Sequence, residues 1–240
     1  MALERPLKKK QPRMLSMDDV IFSDLTLKFS DQERRVHKNI LCSKSGWSTA
    51  ALTSAFKVSS LKHGQLRIVL SVMQQSVSAE VVVEDDDPDV MHAMLDWCYQ
   101  DSLEVVVEKY ATSRAQTFRT RLFQIADRYD VPILKAQIED EFGKRLGSSP
   151  REYTRSPVEE TTESDRKLAN ALRLMYEMPD SAASRLRRCT LTRLDNHLKK
   201  MIKVKWFQEV ISDEPAIARD ILRLVGEEQV GRLSSRVSMF

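Results

Sequence analysis

Glycine is scarce in this chain, and its scarcity limits the kinds of ligand site that the sequence can form. Six glycines in 240 residues leave no stretch that matches the phosphate-binding loop of nucleotide hydrolases or the fingerprint of dinucleotide-binding folds. The sequence also has neither a Cys-x-x-Cys pair nor a His-Glu-x-x-His motif, which are common spacings of zinc ligands. We therefore predict no cofactor and no metal ion.

Long apolar runs are absent as well. No stretch approaches the ~20 consecutive apolar residues that a membrane-spanning helix needs, and residues 1–19 have no apolar core of signal-peptide length. Three widely spaced cysteines, Cys42, Cys98 and Cys189, favour reduced thiols over disulfides or metal ligands. The sequence therefore predicts an intracellular protein of the cytoplasm, the nucleus or both, with no membrane partner.

Charges of the two signs nearly balance. The chain has 38 Lys and Arg against 35 Asp and Glu, a ratio that does not require a polyanionic partner. The segment 185–205 is nevertheless basic and fits either a solvated helix face or a surface for nucleic acid. Few aromatic residues interleave with these charges for base stacking. We favour the solvated face and expect no nucleic-acid partner, and we keep a DNA-associated regulator as an alternative.

Residues 23–41 have the pattern of a strand hairpin that leads into a helix. Leu25, Leu27 and Phe29 alternate with polar residues, which is the period of a half-buried strand. Residues 30–32 supply a turn, and a second strand then runs back towards an apolar helix start. The pattern predicts that the chain begins its fold with an antiparallel strand pair.

This stretch resembles the opening of a BTB/POZ domain. The residues that match the family pattern here are Asp24, Val36, His37, Lys38, Leu41, Ser43 and Ser45. Two later stretches match the same family, and their matching residues are Asp87, Tyr99, Ala126, Asp127, Tyr129, Leu134 and Lys135. The resemblance implies an α+β fold in which a short mixed sheet is capped by a helical cluster, followed by a helical extension as in fungal-type members.

Local signals place further elements. Asp87 and Pro88 fit the cap and the first position of a helix, and residues 103–107 are predicted as a strand. Residues 58–79 fit the family badly, and we predict an inserted, exposed loop or a translated intron. The predicted organisation is a flexible basic tail at 1–19, a BTB/POZ domain at 20–147 with the insertion at 58–79, a linker at 148–162, a helical extension at 163–226 and a tail at 227–240. The extension is predicted as three helices, at 164–178, 182–207 and 215–225, the last ending at Gly226.

The resemblance implies protein partners. Family members form homodimers through their first helices and an N-terminal strand, and some dock the cullin scaffold of ubiquitin ligases through a hydrophobic-x-Glu motif. Val106 and Glu108 match that motif and are predicted as partner-binding residues. We favour a self-associating scaffold, with a substrate adaptor of a cullin-type ubiquitin ligase as the alternative within the family.

Catalysis is not expected. The four histidines are scattered, and His37 at a strand end fits a hydrogen-bonded structural residue better than a base. Cys42 follows it by five residues but adjoins Ile40 and Leu41, where a desolvated thiol is inert. We therefore predict a non-enzymatic protein without catalytic, cofactor-binding or metal-binding residues.

Overall fold

The computed structural model describes residues 22–53, 66–67, 79–83, 86–111, 115–145 and 163–237. These residues form a four-stranded mixed sheet with the strand order β2-β1-β4-β3. Its strands are β1 (Leu25–Phe29), β2 (Gln32–Val36), β3 (Leu66–Arg67) and β4 (Ala79–Val83). β1 pairs antiparallel with β2 and parallel with β4, and β3 pairs antiparallel with β4.

The predicted hairpin is present. The alternation of apolar and polar residues in β1 matches the alternation of buried and half-buried side chains. Leu25, Leu27 and Phe29 are at most 5% exposed, and the polar residues between them are half-buried. Ser30 lies in the left-handed backbone region at a φ of 53°, which makes the tight turn into β2. The hydrophobic face of the sheet therefore points towards the helices.

Six helices in the described residues complete this half of the chain. They are α1 (Lys38–Lys44), α2 (Gly46–Thr53), α3 (Pro88–Gln100), α4 (Leu103–Tyr110), α5 (Ala115–Arg128) and α6 (Pro132–Arg145). α3 lies at the centre of the core, and its Trp97 is fully buried. The indole of Trp97 donates a hydrogen bond to the Gln137 side chain on α6 at 2.8 Å, so the one polar atom of this large ring is satisfied.

The strand predicted at residues 103–107 is wrong, because these residues form the first part of α4. Ser102 caps the helix by accepting a hydrogen bond from the backbone N–H of Val105. Leu103, Val106 and Val107 are the buried residues of α4, at the spacing of one helix face. Packing of that face outweighs the β-propensity of the valines.

The extension contains four helices in the described residues. They are α7 (Glu163–Glu177), α8 (Asp180–Met201), α9 (Lys205–Asp213) and α10 (Pro215–Val237). The helix predicted over 182–207 is interrupted after Met201, and α9 buries Trp206 and Phe207. The predicted helix end at Gly226 is also wrong. A Cβ at this position would meet nothing within 4 Å, and α10 continues through it at the modest cost of a glycine inside a helix.

The extension packs directly on the BTB/POZ-like half. α7 contacts α5, α8 contacts α6, and one hydrophobic cluster runs from Leu25 to Ile221. No described helix is both long and apolar enough to cross a bilayer. Of the predicted insertion, Leu66–Arg67 pair with Val82 and Val83 as a strand rather than a loop. The predicted tail at 1–19, the linker at 148–162 and the other residues of 58–78 lie outside the described residues.

Candidate interaction surfaces

The first group of motif residues joins the hairpin to the end of α3. The Asp24 carboxylate accepts a hydrogen bond from the backbone N–H of Lys38 at 2.8 Å. The backbone N–H of His37 donates to the Tyr99 hydroxyl oxygen at 2.9 Å, and Nδ1 of the same imidazole lies 2.9 Å from that oxygen. His37 is 4% exposed. Its ring therefore takes part in an internal contact and does not face a cleft.

Ser45 and Gly46 connect the corner between α1 and α2 to the end of α5. The Ser45 hydroxyl donates to the backbone carbonyl of Tyr129 at 2.6 Å. The N–H of Gly46 donates to the carbonyl of Asp130 at 2.9 Å. A Cβ at position 46 would lie 2.0 Å from Oδ2 of Asp130, so a larger residue here would require the Asp130 side chain to move.

Asp86 and Asp87 connect the start of α3 to α5. Asp87 accepts hydrogen bonds from two backbone N–H groups of the first turn, at 3.1 and 3.4 Å, and thus acts as the expected cap. Asp86, 7% exposed, accepts from the Tyr129 hydroxyl at 2.5 Å and from the Arg128 guanidinium. Burial, together with this carboxylate, raises the pKa of Tyr129, so the phenol keeps its proton and donates it.

Asp86 was not among the residues singled out in the sequence. Its only local signal is its place in an acidic run before a helix, which the cap at Asp87 explains equally well. The contact with Tyr129 depends on the packing of α3 against α5. It could have been proposed only by combining the acidic run with the tyrosine of the family pattern.

The other residues of the predicted family pattern pack in the core or make local hydrogen bonds. Leu41 and Ala126 belong to the buried core. The Ser43 hydroxyl donates to a carbonyl oxygen within α1 at 2.8 Å. Asp127 accepts from the Lys135 ammonium near the start of α6. The motif residues therefore hold neighbouring elements together.

The hydrophobic-x-Glu residues lie on α4, and the side chain that reaches solvent is Glu108. Val106 is 0% exposed and Val107 is 6% exposed, so the predicted partner residue Val106 lies in the core and is not accessible. Val105 is 49% exposed and lies three residues before Glu108, on the same side of α4. On α6, which packs against α4, Ile133 is 52% exposed. We refer to Val105, Glu108 and Ile133 as the α4–α6 surface.

α2 is largely apolar, yet Ser48 is the one buried residue among its described side chains. Trp47 is half-buried and packs edge-on against Tyr129, with 5.0 Å between the ring centroids. Ala50 is exposed. We refer to Trp47, Ala50, Ala51 and Leu52 as the α2 surface. Phe22, just before β1, is a further exposed apolar residue at 64%.

Comparison with known protein families agrees with this arrangement. The model of the BTB/POZ domain matches residues 15–146, more than half of the chain. The chain belongs to the BTB/POZ family. This match confirms the predicted resemblance and the α+β BTB/POZ fold, to which α7 to α10 add the helical extension. As a BTB/POZ protein, the chain contains a protein–protein interaction module.

One curated protein, Rabankyrin-5 from Mus musculus, is 27% identical to this BTB/POZ chain over 119 residues. The aligned region covers 49% of this chain and 8% of Rabankyrin-5. The chain therefore spans only a small part of the length of that relative. The similarity concerns one region and does not extend to the rest of Rabankyrin-5.

Of the side chains considered for catalysis, the structure describes Cys42, His37, His92 and His197, and His63 lies outside the described residues. The apolar setting expected at Cys42 is found instead at Cys98, which is 4% exposed and whose thiol has its pKa raised to about 12 by burial. Cys42 is half-buried, and its Sγ lies 3.6 Å from the carbonyl oxygen of Ser48. Among the residues that the structure describes, no group of three His, Cys, Asp or Glu is arranged to hold a metal ion.

The basic segment lies mainly on α8, and several of its charges are paired. Three arginines contact carboxylates: Arg185 with Glu139, Arg187 with Asp180 and Arg188 with Glu227. Pairing lowers the positive potential that a polyanion would meet. These three pairs neutralise part of the basic charge of the segment, and the choice between a solvated helix face and a surface for nucleic acid stays a prediction.

Proposed function

We propose that this BTB/POZ protein is a non-catalytic scaffold that self-associates through the α2 surface and presents its helical extension to a protein partner. The observation that carries the proposal is that Ala50 is exposed while Trp47, Ala51 and Leu52 are only partly buried. Its residues are mostly apolar, and exposed apolar patches mark interaction sites. Phe22 adds an exposed aromatic side chain immediately before the sheet.

A twofold contact through α2 is physically reasonable. Closed symmetric dimers are the most common oligomers, and in them the same patch is used on both subunits. The alanines at positions 50 and 51 are small, so two copies of the helix could approach closely. Trp47 and Leu52 would supply apolar area at the edges of such a contact.

Sedimentation of the 240-residue chain over a range of micromolar concentrations tests the proposal. We expect a dimer for the natural sequence and a monomer for Ala50→Arg, which places a charge in the contact. Ala136→Arg on α6 is the matched control, since Ala136 is also an exposed helical alanine, and it should leave the dimer intact. A natural protein that stays monomeric throughout would overturn the self-association.

A second candidate, docking of a cullin scaffold, is supported by the α4–α6 surface. Glu108 is accessible beside the exposed Val105, so a hydrophobic and an acidic side chain are presented together on α4. A pull-down with purified cullin scaffold tests this role. We expect Val105→Lys and Glu108→Lys to abolish retention and Glu177→Lys, an exposed control on α7, to keep it. Equal loss or equal retention in all three variants would contradict it.

A further inference from the structure

A groove of about 500 Å³ lies between α8 and α10 on the helical extension. Its lining contains four arginines, three acidic residues, two leucines and one serine. None of these residues belongs to the α2 surface or the α4–α6 surface. The groove thus combines charged and aliphatic side chains on a part of the chain that follows the matched BTB/POZ region.

Two guanidinium groups on the rim of the groove share one carboxylate. Arg188 and Arg223 both contact the single carboxylate of Glu227, at 3.2 and 3.4 Å. Their side chains are 72% and 79% exposed, and each guanidinium has five N–H donors. Most of these donors point to solvent, so a second carboxylate could bind there in the paired geometry that arginine favours.

The two remaining acidic residues of the lining already have partners within the extension. Asp180 contacts Arg187, whose side chain is 7% exposed. Asp220 accepts a hydrogen bond from the Tyr176 hydroxyl at 2.9 Å. The Arg187 guanidinium also lies 4.4 Å from the centroid of the Tyr176 ring. Tyr176 of α7 thus contacts both Arg187 of α8 and Asp220 of α10.

Leu191 and Leu224 supply the apolar part of the lining. Leu191 is 2% exposed, and Leu224 is partly buried against the core. Leu191 therefore offers little surface, and an aliphatic side chain placed against Leu224 would be partly removed from water, while a neighbouring carboxylate could reach Arg188 or Arg223. The groove therefore matches a ligand that carries an aliphatic group next to an acidic group.

We propose that this groove binds a short peptide segment of a partner protein in which an acidic residue adjoins an aliphatic residue. The inference rests on the proposed scaffolding function, since it assigns a surface to the partner that a scaffold must hold. A nucleic acid fits less well. No aromatic residue lines the groove to stack on a base.

Selection from a displayed random peptide library against the 240-residue chain tests the inference. We expect enriched peptides in which Asp or Glu adjoins Leu, Ile, Val or Met. A fluorescein-labelled synthetic peptide of the enriched sequence should bind at least about tenfold more weakly to Arg188→Glu and Arg223→Glu, because each change removes a charged hydrogen bond. Arg193→Glu, an exposed arginine of α8 outside the groove, should bind as the natural protein does.

Several results would overturn the inference. These are a selection without enrichment, an enriched motif that lacks an acidic residue, and an equal loss of affinity in Arg193→Glu. Competition by a duplex DNA oligonucleotide that depends on Arg188 would show a site for polyanions instead. Sedimentation of the same variants separates the two proposals, because loss of peptide binding in an intact dimer concerns the groove alone. Peptide binding by a monomeric natural protein would contradict self-association and leave the groove supported.

Discussion

At the scale of single residues, the Tyr99 hydroxyl is the partner of two polar atoms of His37. It accepts from the backbone N–H and lies 2.9 Å from Nδ1, and His37 is buried. Tyr99→Phe leaves both atoms without this partner. We expect the free energy of unfolding to fall by about 1–3 kcal/mol, the usual cost of an unsatisfied buried group. Urea unfolding followed by circular dichroism measures the change.

Tyr110→Phe is the matched control for this substitution. The Tyr110 hydroxyl donates to Asp96 at 2.7 Å, and Asp96 keeps Lys109 at 2.5 Å as a second partner. The carboxylate therefore stays satisfied after the change, and the loss of stability should be smaller. If Tyr99→Phe is as stable as the natural protein, or Tyr110→Phe loses more, the structural role of the contact with His37 is wrong.

The buried thiol of Cys98 gives a prediction about pH. Its pKa is raised to about 12 by burial, whereas an unfolded cysteine has a pKa of about 8.5. Below the pKa of the unfolded cysteine, the Cys98 thiol keeps its proton in both the folded and the unfolded state. Its contribution to the free energy of unfolding is then fully present. Stability should then fall as the pH rises towards 12, because the unfolded thiol ionises and the folded one does not.

Folding should also protect the buried Cys98 thiol from chemical modification. Mass spectrometry of thiol labelling at mildly alkaline pH measures this protection. We expect Cys42 and Cys189, both partly exposed, to react with iodoacetamide before Cys98 does. Labelling of Cys98 at the same rate as the other two would contradict its buried, protonated state. Labelling in urea is the control and should make the three rates similar.

At the scale of elements, the sequence predicts the strands and helix ends that depend on residues close together in the chain. The alternation in β1 and the Asp87 cap of α3 were sufficient, because each lies within a few residues. α4 was mistaken for a strand because residues 105–107 are all valine, and the helix forms when their buried face packs on the core. The hydrophobic-x-Glu motif of the family made Val106 the candidate partner residue, whereas the helix turns Val105 outwards and Val106 inwards.

The corner between α7 and α8 depends on one arginine. Nε of Arg187 donates to the Met175 carbonyl at 2.9 Å, and a terminal nitrogen donates to the Met178 carbonyl. A lysine cannot reproduce this fork of donors. We expect Arg187→Lys to lower the free energy of unfolding by about 1–3 kcal/mol and to speed hydrogen exchange at this corner. Arg193→Lys should change neither quantity, and similar effects in both variants would show that the fork of donors at this corner is not responsible.

At the scale of the whole molecule, the extension and the sheet-bearing half share one hydrophobic core. The sequence predicted both parts, but a linker-like composition at 148–162 gave no sign that they pack together. The buried faces of α5 and α6 meet α7 and α8, and Glu139 of α6 contacts Arg185 of α8 at 3.0 Å. Contacts of this kind join residues far apart in sequence, so no local pattern records them.

This shared core predicts that the two parts unfold together. A single cooperative transition is the expected behaviour of residues that bury one another, and removing α7 to α10 would expose the apolar faces of α5 and α6. Pulsed hydrogen exchange at increasing urea should therefore give the same midpoint for peptides from α3 and from α8. A chain ending at Arg145 should lose the cooperative transition. If α8 opens at clearly lower urea than α3, the extension is a separate folding unit, and the groove between α8 and α10 would be assembled independently of the BTB/POZ domain.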